Sequence, residues 1–144
     1  MGQLSRVHVS FRFTSDALDP RLVTQELGIT PESAHRKGAV TLIRGVPRGR
    51  RATGVWIMSS QLPDSAFLDQ HLKALLTVLE PKAKAIQELK DKGYAPEFYC
   101  GLFLEDWNEG TTLSPDTLGR IAALGAQLGL DVYNVAEEDQ PPQE

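Results

Sequence analysis

Cys100 is the only thiol in this 144-residue chain, and His8 is the base best placed to activate it if the strands carrying the two lay side by side. A thiol next to an imidazole ionises readily and becomes a nucleophile. The alternation of residue types argues against that pairing. Cys100 shares a strand face with Leu102 and Leu104, whereas His8 lies opposite Val7 and Val9, so Cys100 is expected as a core residue. His8, His35 and His71 are the only histidines, and none has a second ligand at a spacing such as His-x-x-x-His, so no metal ion is expected. The segment Asp106-Trp107-Asn108-Glu109-Gly110 begins like a calcium loop, but its glycine comes one position early and no glutamate closes it. Glu105 and Asp106 are adjacent on an extended segment, point to opposite faces and cannot flank one substrate atom. Gly45, Gly49 and Gly54 follow neither the Walker nor the dinucleotide spacing. These residues assign no catalytic group, no metal and no cofactor.

The remaining chemistry is that of cations. From Ser33 to Pro63 there is no Asp or Glu, while Arg36, Lys37, Arg44, Arg48, Arg50 and Arg51 fall there together with His35. That stretch holds six of the fifteen Lys and Arg residues and leaves nine to face all nineteen acids elsewhere, so the net charge of −4 hides a polarised molecule. Guanidinium groups on a flexible tip pair bidentately with carboxylates or phosphates, and such a field steers an anionic partner. Nucleic acid is not expected, because a broad basic face with stacking aromatics is missing. Trp56 lies in a strand with two apolar faces, where core packing is the expectation, although tryptophan is also enriched at interfaces. Trp107 stands in a polar loop and is expected at the surface. The candidate binding residues are therefore His35, Arg36, Arg44, Arg48, Arg50, Arg51, Trp56 and Trp107.

The elements that must position these residues are legible from periodicity. Val7, Val9, Phe11 and Phe13 alternate with polar residues as in a half-buried strand. Asp19-Pro20 then starts a short helix that ends at Leu27-Gly28. The same unit recurs later, from Phe98, Cys100, Leu102 and Leu104 through Ser114-Pro115 to Leu124-Gly125. Between the two copies, residues 39–44 and 53–59 read as a hairpin with the arginines at its tip. Leu68, Leu72, Leu75, Leu76 and Leu79 mark an amphipathic helix that breaks at Pro81 and resumes through Ile86 and Leu89. Residues 130–135 form a closing strand.

The order β-α-β-β-α-α-β-α-β predicts an α+β fold. It has a ferredoxin-like split β-α-β core, with an antiparallel or mixed sheet and helices on one face, extended by a further helix and strand. One domain is expected over residues 1–135, followed by an acidic, disordered tail over 136–144. The N-terminus runs straight into a strand with no apolar signal core, and no apolar run approaches the roughly 18 residues a membrane span needs. With a single cysteine, these features predict a cytoplasmic protein that does not cross a membrane.

Several segments together resemble a known family. They are Leu27-Gly28-Ile29-Thr30-Pro31, His35-Arg36-Lys37-Gly38, Gly54-Val55-Trp56, His71-Leu72, Leu79-Glu80-Pro81-Lys82, Tyr99-Cys100-Gly101-Leu102-Phe103, and Leu113-Ser114-Pro115 before Tyr133. The chain resembles the bacterial domain of unknown function family numbered 4279 over roughly residues 7–134. The resemblance implies a small bacterial cytoplasmic protein and carries no activity or catalytic residue with it. Arg48, Arg50, Arg51 and the acidic tail fall outside the recurring pattern.

The reading that follows is a non-enzymatic intracellular binding module for a protein partner, with toxin neutralisation by an immunity-type protein as one form of it. The alternative is a small-ligand-binding or enzymatic domain with a pocket between sheet and helices, using His35, Arg36, Lys37 and Trp56. The oligomeric state, monomer or homodimer, is left open.

Overall fold

The computed structural model describes residues 2–135. The acidic tail expected from residue 136 lies outside them. After a two-residue strand β1 (Gly2–Gln3) the chain enters β2 (Arg6–Ser15), α1 (Pro20–Leu27) and a three-residue strand β3 (Ser33–His35). A hairpin of β4 (Val40–Ile43) and β5 (Val46–Arg50) precedes β6 (Gly54–Ser59). Helices α2 (Leu68–Leu79) and α3 (Ala83–Asp91) follow, joined by a 3₁₀ turn at Glu80–Lys82, where Pro81 interrupts the α-helical hydrogen bonds. β7 (Ala95–Leu104), the short β8 (Glu109–Gly110), α4 (Pro115–Ala123) and β9 (Gln127–Asn134) complete the described elements.

Five strands form one sheet in the order β3-β6-β2-β7-β9. The first three pairings are antiparallel and β7–β9 is parallel, so the sheet is mixed. The fold is thus α+β, as expected. The period-2 pattern of β2 sets its faces. Val7, Val9, Phe11 and Phe13 are completely buried and stand opposite Leu102, Cys100, Phe98 and Pro96 of β7. Met58 and Trp56 of β6 flank Phe11 and Phe13 from the other side. The aromatic rings meet edge-on or tilted, with centroids 5.1 to 6.4 Å apart, the geometry their quadrupoles favour. Val23 and Leu27 of α1, the leucine stripe of α2, Ile86 and Leu89 of α3 and Ile121 of α4 join these residues in one core cluster, on one face of the sheet. Each such side chain, fully buried, stabilises the fold by roughly 1.5–3 kcal/mol.

The recurring unit is real at the level of helix starts. Asp19 accepts the Arg21 N–H with Pro20 in the first turn of α1, and Ser114 accepts the Thr117 N–H with Pro115 in the first turn of α4. Gly28 (φ 67°) after α1 and Gly125 (φ 68°) two residues beyond α4 both adopt the left-handed conformation.

The hairpin differs from expectation. Residues 40–43 pair not with 54–59 but with 46–50, and β6 is an interior strand between β3 and β2. The turn is two residues, Arg44 (φ 53°) and Gly45 (φ 78°), both at the positive φ that a tight type I′ connection demands. The closing strand begins at Gln127, three residues earlier than its apolar run suggested.

Candidate functional site

The hairpin β4–β5 forms its own two-stranded sheet and projects as an arm between β3 and β6. Its root is tied by Gly38 N–H to the Arg51 carbonyl and Arg51 N–H to the Ala39 carbonyl, each 2.8 Å, while the Arg50 guanidinium bonds the Gly38 carbonyl. In β5, Arg48 and Gly49 together oppose the single Thr41, a bulge in which Gly49 takes φ 111°. Val40 and Leu42 lie on one face of the arm, opposite Arg50 and Pro47, and Ile43 and Val46 lie on the other. All four aliphatic side chains are exposed, Leu42 by 61%. The guanidinium groups of Arg44, Arg48 and Arg51 make no ion pair or hydrogen bond with a described residue. Unpaired cations and exposed aliphatics on both faces of one hairpin form a surface suited to an amphipathic, acidic target.

The structure distributes the other expected site residues. His35 lies half-buried at the root of the arm, where burial and then the Arg51 charge hold its pKa below the ordinary value. Arg36 is held by Asp19 at 2.8 Å and Lys37 by Asp16 at 3.1 Å, so both fasten the root of the arm to the start of α1 and the turn before it. Trp56 is completely buried, its indole N–H donating to Thr24 Oγ at 3.1 Å, and it presents nothing to a partner. Its place in an interior strand beneath α1 explains this, and it leaves the list of contact residues. Trp107 is 85% exposed, on the loop between β7 and β8. In that loop the Glu109 carboxylate accepts the N–H groups of Glu105 and Asp106 and the Ser5 hydroxyl, a turn closed on itself.

Cys100 is buried with its thiol pushed up to about 12, by burial first and by the Glu97 charge second. His8 pairs with Gly101 on the opposite face of the sheet, so thiol and imidazole do not meet. That helix-free face carries a cluster that sequence reasoning missed. Arg6 lies over the Phe103 ring at 4.4 Å and Arg12 over Tyr99 at 4.1 Å, while Phe103 stacks on Tyr133 at 5.0 Å. The hydroxyls of Tyr99 and Tyr133 each donate to Asp131 at 2.6 Å and hold its carboxyl below the ordinary range. The only signal in the sequence was that Arg6, Arg12, Tyr99, Phe103 and Tyr133 all fall on the out-facing parity of their strands.

A cleft of about 530 Å³, within the size range of ligand sites, opens between α2, the end of β6 and the segment before β3. Ile29, Pro31, Met58, Leu75 and Val78 give it apolar walls. Glu32, which accepts the Ser59 hydroxyl, and Ser60 supply its polar rim. Ser60 Oγ accepts the Leu62 N–H and lies 2.7 Å from His71 Nδ1, behind the cleft wall. His71 is almost completely buried, and its Nε2 finds no partner among the described residues. Burial pushes its pKa down, the His8 charge adds to this in a minor way, and the Pro63 carbonyl and Asp64 oppose it. None of His35, Arg36, Lys37 or Trp56 lines this cleft. A histidine on the leucine stripe of α2 was the one sequence signal for the Ser60–His71 pair.

Among the described residues no group of His, Cys, Asp and Glu is placed to hold a metal ion. No described helix is long and apolar enough to cross a membrane. No curated protein and no solved structure matches the chain. A family model described as a domain of unknown function matches residues 5–135, which contain the arm, the cleft and the whole five-stranded sheet, and the chain belongs to that family, DUF4279.

Proposed function

We propose that this protein is a binding module that takes an acidic protein partner on the β4–β5 arm. The observation that carries the reading is the arm itself. A lone two-stranded hairpin is marginal in water, and this one exposes aliphatic residues on both faces beside three arginines without an ion-pair partner among the described residues. A partner with an apolar groove rimmed by carboxylates supplies what it lacks, burial for Leu42 and Ile43 and bidentate partners for Arg44 and Arg48. The reading places the protein in the cytoplasm, in keeping with its single, buried cysteine. It treats residues 1–135 as one domain of the ferredoxin-like class extended by α4 and β9. Support for that class comes from the strand order, in which β6 lies between β2 and β3, both antiparallel to it.

The test is site-specific photocrosslinking in the source cells, with the crosslinker at Leu42 and, as a control, at the exposed Lys84 of α3. A protein adduct specific to position 42 is then purified and titrated against the unmodified chain and a variant with Arg44, Arg48 and Arg51 all changed to Ser. Binding that weakens at least tenfold in the variant, and with rising salt for the unmodified chain, supports the reading. Equal adducts at both positions, or binding indifferent to the arginines, defeat it.

A second reading rests on the cleft. Its apolar walls and the Glu32 carboxylate, which has no cationic partner among the described residues, suit a small amphiphile with an ammonium head. An n-alkylamine should raise the melting temperature more than the matching carboxylate, and Glu32→Gln should abolish the difference. Equal effects of the two ligands exclude this reading.

A further inference from the structure

We infer that β9 is a dimerisation strand on which a second copy of this chain pairs antiparallel, about a twofold axis at Leu130. The two edges of the five-stranded sheet are unlike. β3 is three residues long and is followed directly by Arg36 and Lys37, the short and charged kind of edge that resists pairing. β9 is eight residues long, contains no Pro, Lys or Arg, and has one charged residue, Asp131. Its register with β7 puts Leu128, Leu130 and Val132 on the face of Phe98, Cys100 and Leu102, the side on which the helices pack. Leu130 and Val132 are nevertheless 57% exposed each, as is much of Leu118 on the neighbouring α4. A long edge with a single charge and exposed aliphatics is a template for another strand.

Parity selects the geometry. About a twofold normal to the sheet, opposed residues point to the same face, so one residue of β9 must sit on the axis and meet its own copy. With Asp131 there, two carboxylates would face each other, which is unfavourable. With Leu130 there, Leu128 meets Val132 of the second copy, Gly129 meets Asp131 and Gln127 meets Tyr133, pairing residues 127–133 throughout. Moving the axis to Val132 shortens the overlap to residues 130–134. Asp131 does not obstruct the arrangement, because its carboxylate is already occupied by the hydroxyls of Tyr99 and Tyr133 within its own copy. The same face of both sheets then carries the helices, and the Leu130 side chains of the two copies meet on that face.

The experiment compares the full chain with Leu130→Lys in sedimentation equilibrium, and Leu130→Cys with Val132→Cys in non-reducing electrophoresis after mild oxidation. The unmodified chain should sediment toward twice 15.8 kDa as concentration rises, and Leu130→Lys as a monomer with unchanged circular dichroism. In a Cys100→Ala background, which removes the thiol lying beside position 130 within the same copy, Leu130→Cys should give a covalent dimer, since opposed Cα atoms lie about 4.5–5.5 Å apart. Val132→Cys should not, because its two copies lie four residues apart along the strand, roughly 13 Å. A monomer at every concentration, the result if residues 136–144 or a foreign peptide cover β9 instead, overturns the inference. So does a dimer that survives Leu130→Lys, and linkage through position 132 rather than 130 overturns the assigned axis.

Discussion

Arg44 is the residue on which the arm turns, and it does so at a cost. An L-residue in the left-handed region loses about 1 kcal/mol or more against the right-handed one, and Asn is far better suited to that position of a type I′ turn. Arg44→Asn should therefore slow amide exchange at Gly38 and Arg51, the root of the arm, by roughly fivefold, about 1 kcal/mol. An unchanged exchange rate would show that the turn is not under strain. His71 gives a second outcome at this scale. Its folded pKa lies below the unfolded value of about 6.5, so the unfolded chain takes up the proton first. The stability associated with neutral His71 is present above about pH 6.5 and is lost as pH falls through the lower folded value. Chemical denaturation at about pH 7.5 and about pH 5.5 should show this loss, and His71→Asn should reduce it. His35 shares the direction and adds a share of its own, so a residual slope in the variant is expected.

At the scale of elements, Gly54 marks where β6 leaves the arm and enters the core. A Cβ there would meet the Ser15 carbonyl at 2.7 Å and Leu18 Cβ at 2.9 Å, and neither is the mobile end of a side chain. Gly54→Ala should cost about 1–3 kcal/mol, read as a lower urea midpoint at unchanged slope. The same region shows what sequence could and could not reveal. β2 was legible because one strict period spans it, and the starts of α1 and α4 because a cap and a proline stand together. The pairing of residues 53–59 was not, since β6 has two apolar faces and the choice between β4 and β2 as its partner is made by the whole sheet rather than by either segment. Arg44-Gly45 was missed as a turn because arginine is a poor left-handed residue. Pro47 and Gly49 likewise disguised β5, and such residues are tolerated only because this strand has a single neighbour. The Ser60–His71 contact joins a turn to a helix across eleven residues. No period connects those two positions, and only the packing of α2 against the end of β6 brings them together.

At the scale of the whole molecule, charge and strand order run the same way. The acid-free stretch from Ser33 to Pro63 includes β3, the arm and β6, so the positive end of the molecule is the β3 end of the sheet. β9 is the other end. A pair of chains joined at Leu130 would therefore carry its arms at the two extremes of a doubled sheet, roughly 45 Å apart before twist is counted. Such a molecule is a bivalent caliper. On a target that repeats its acidic site at that spacing, the second arm binds intramolecularly, and retention should exceed that of Leu130→Lys by about 10²–10⁴, whereas an isolated site should hold both forms equally. Surface-binding kinetics at high and low target density would separate the two cases. The order of five strands would then set which arrays of partner the protein can grip, and the arm only which partner it touches.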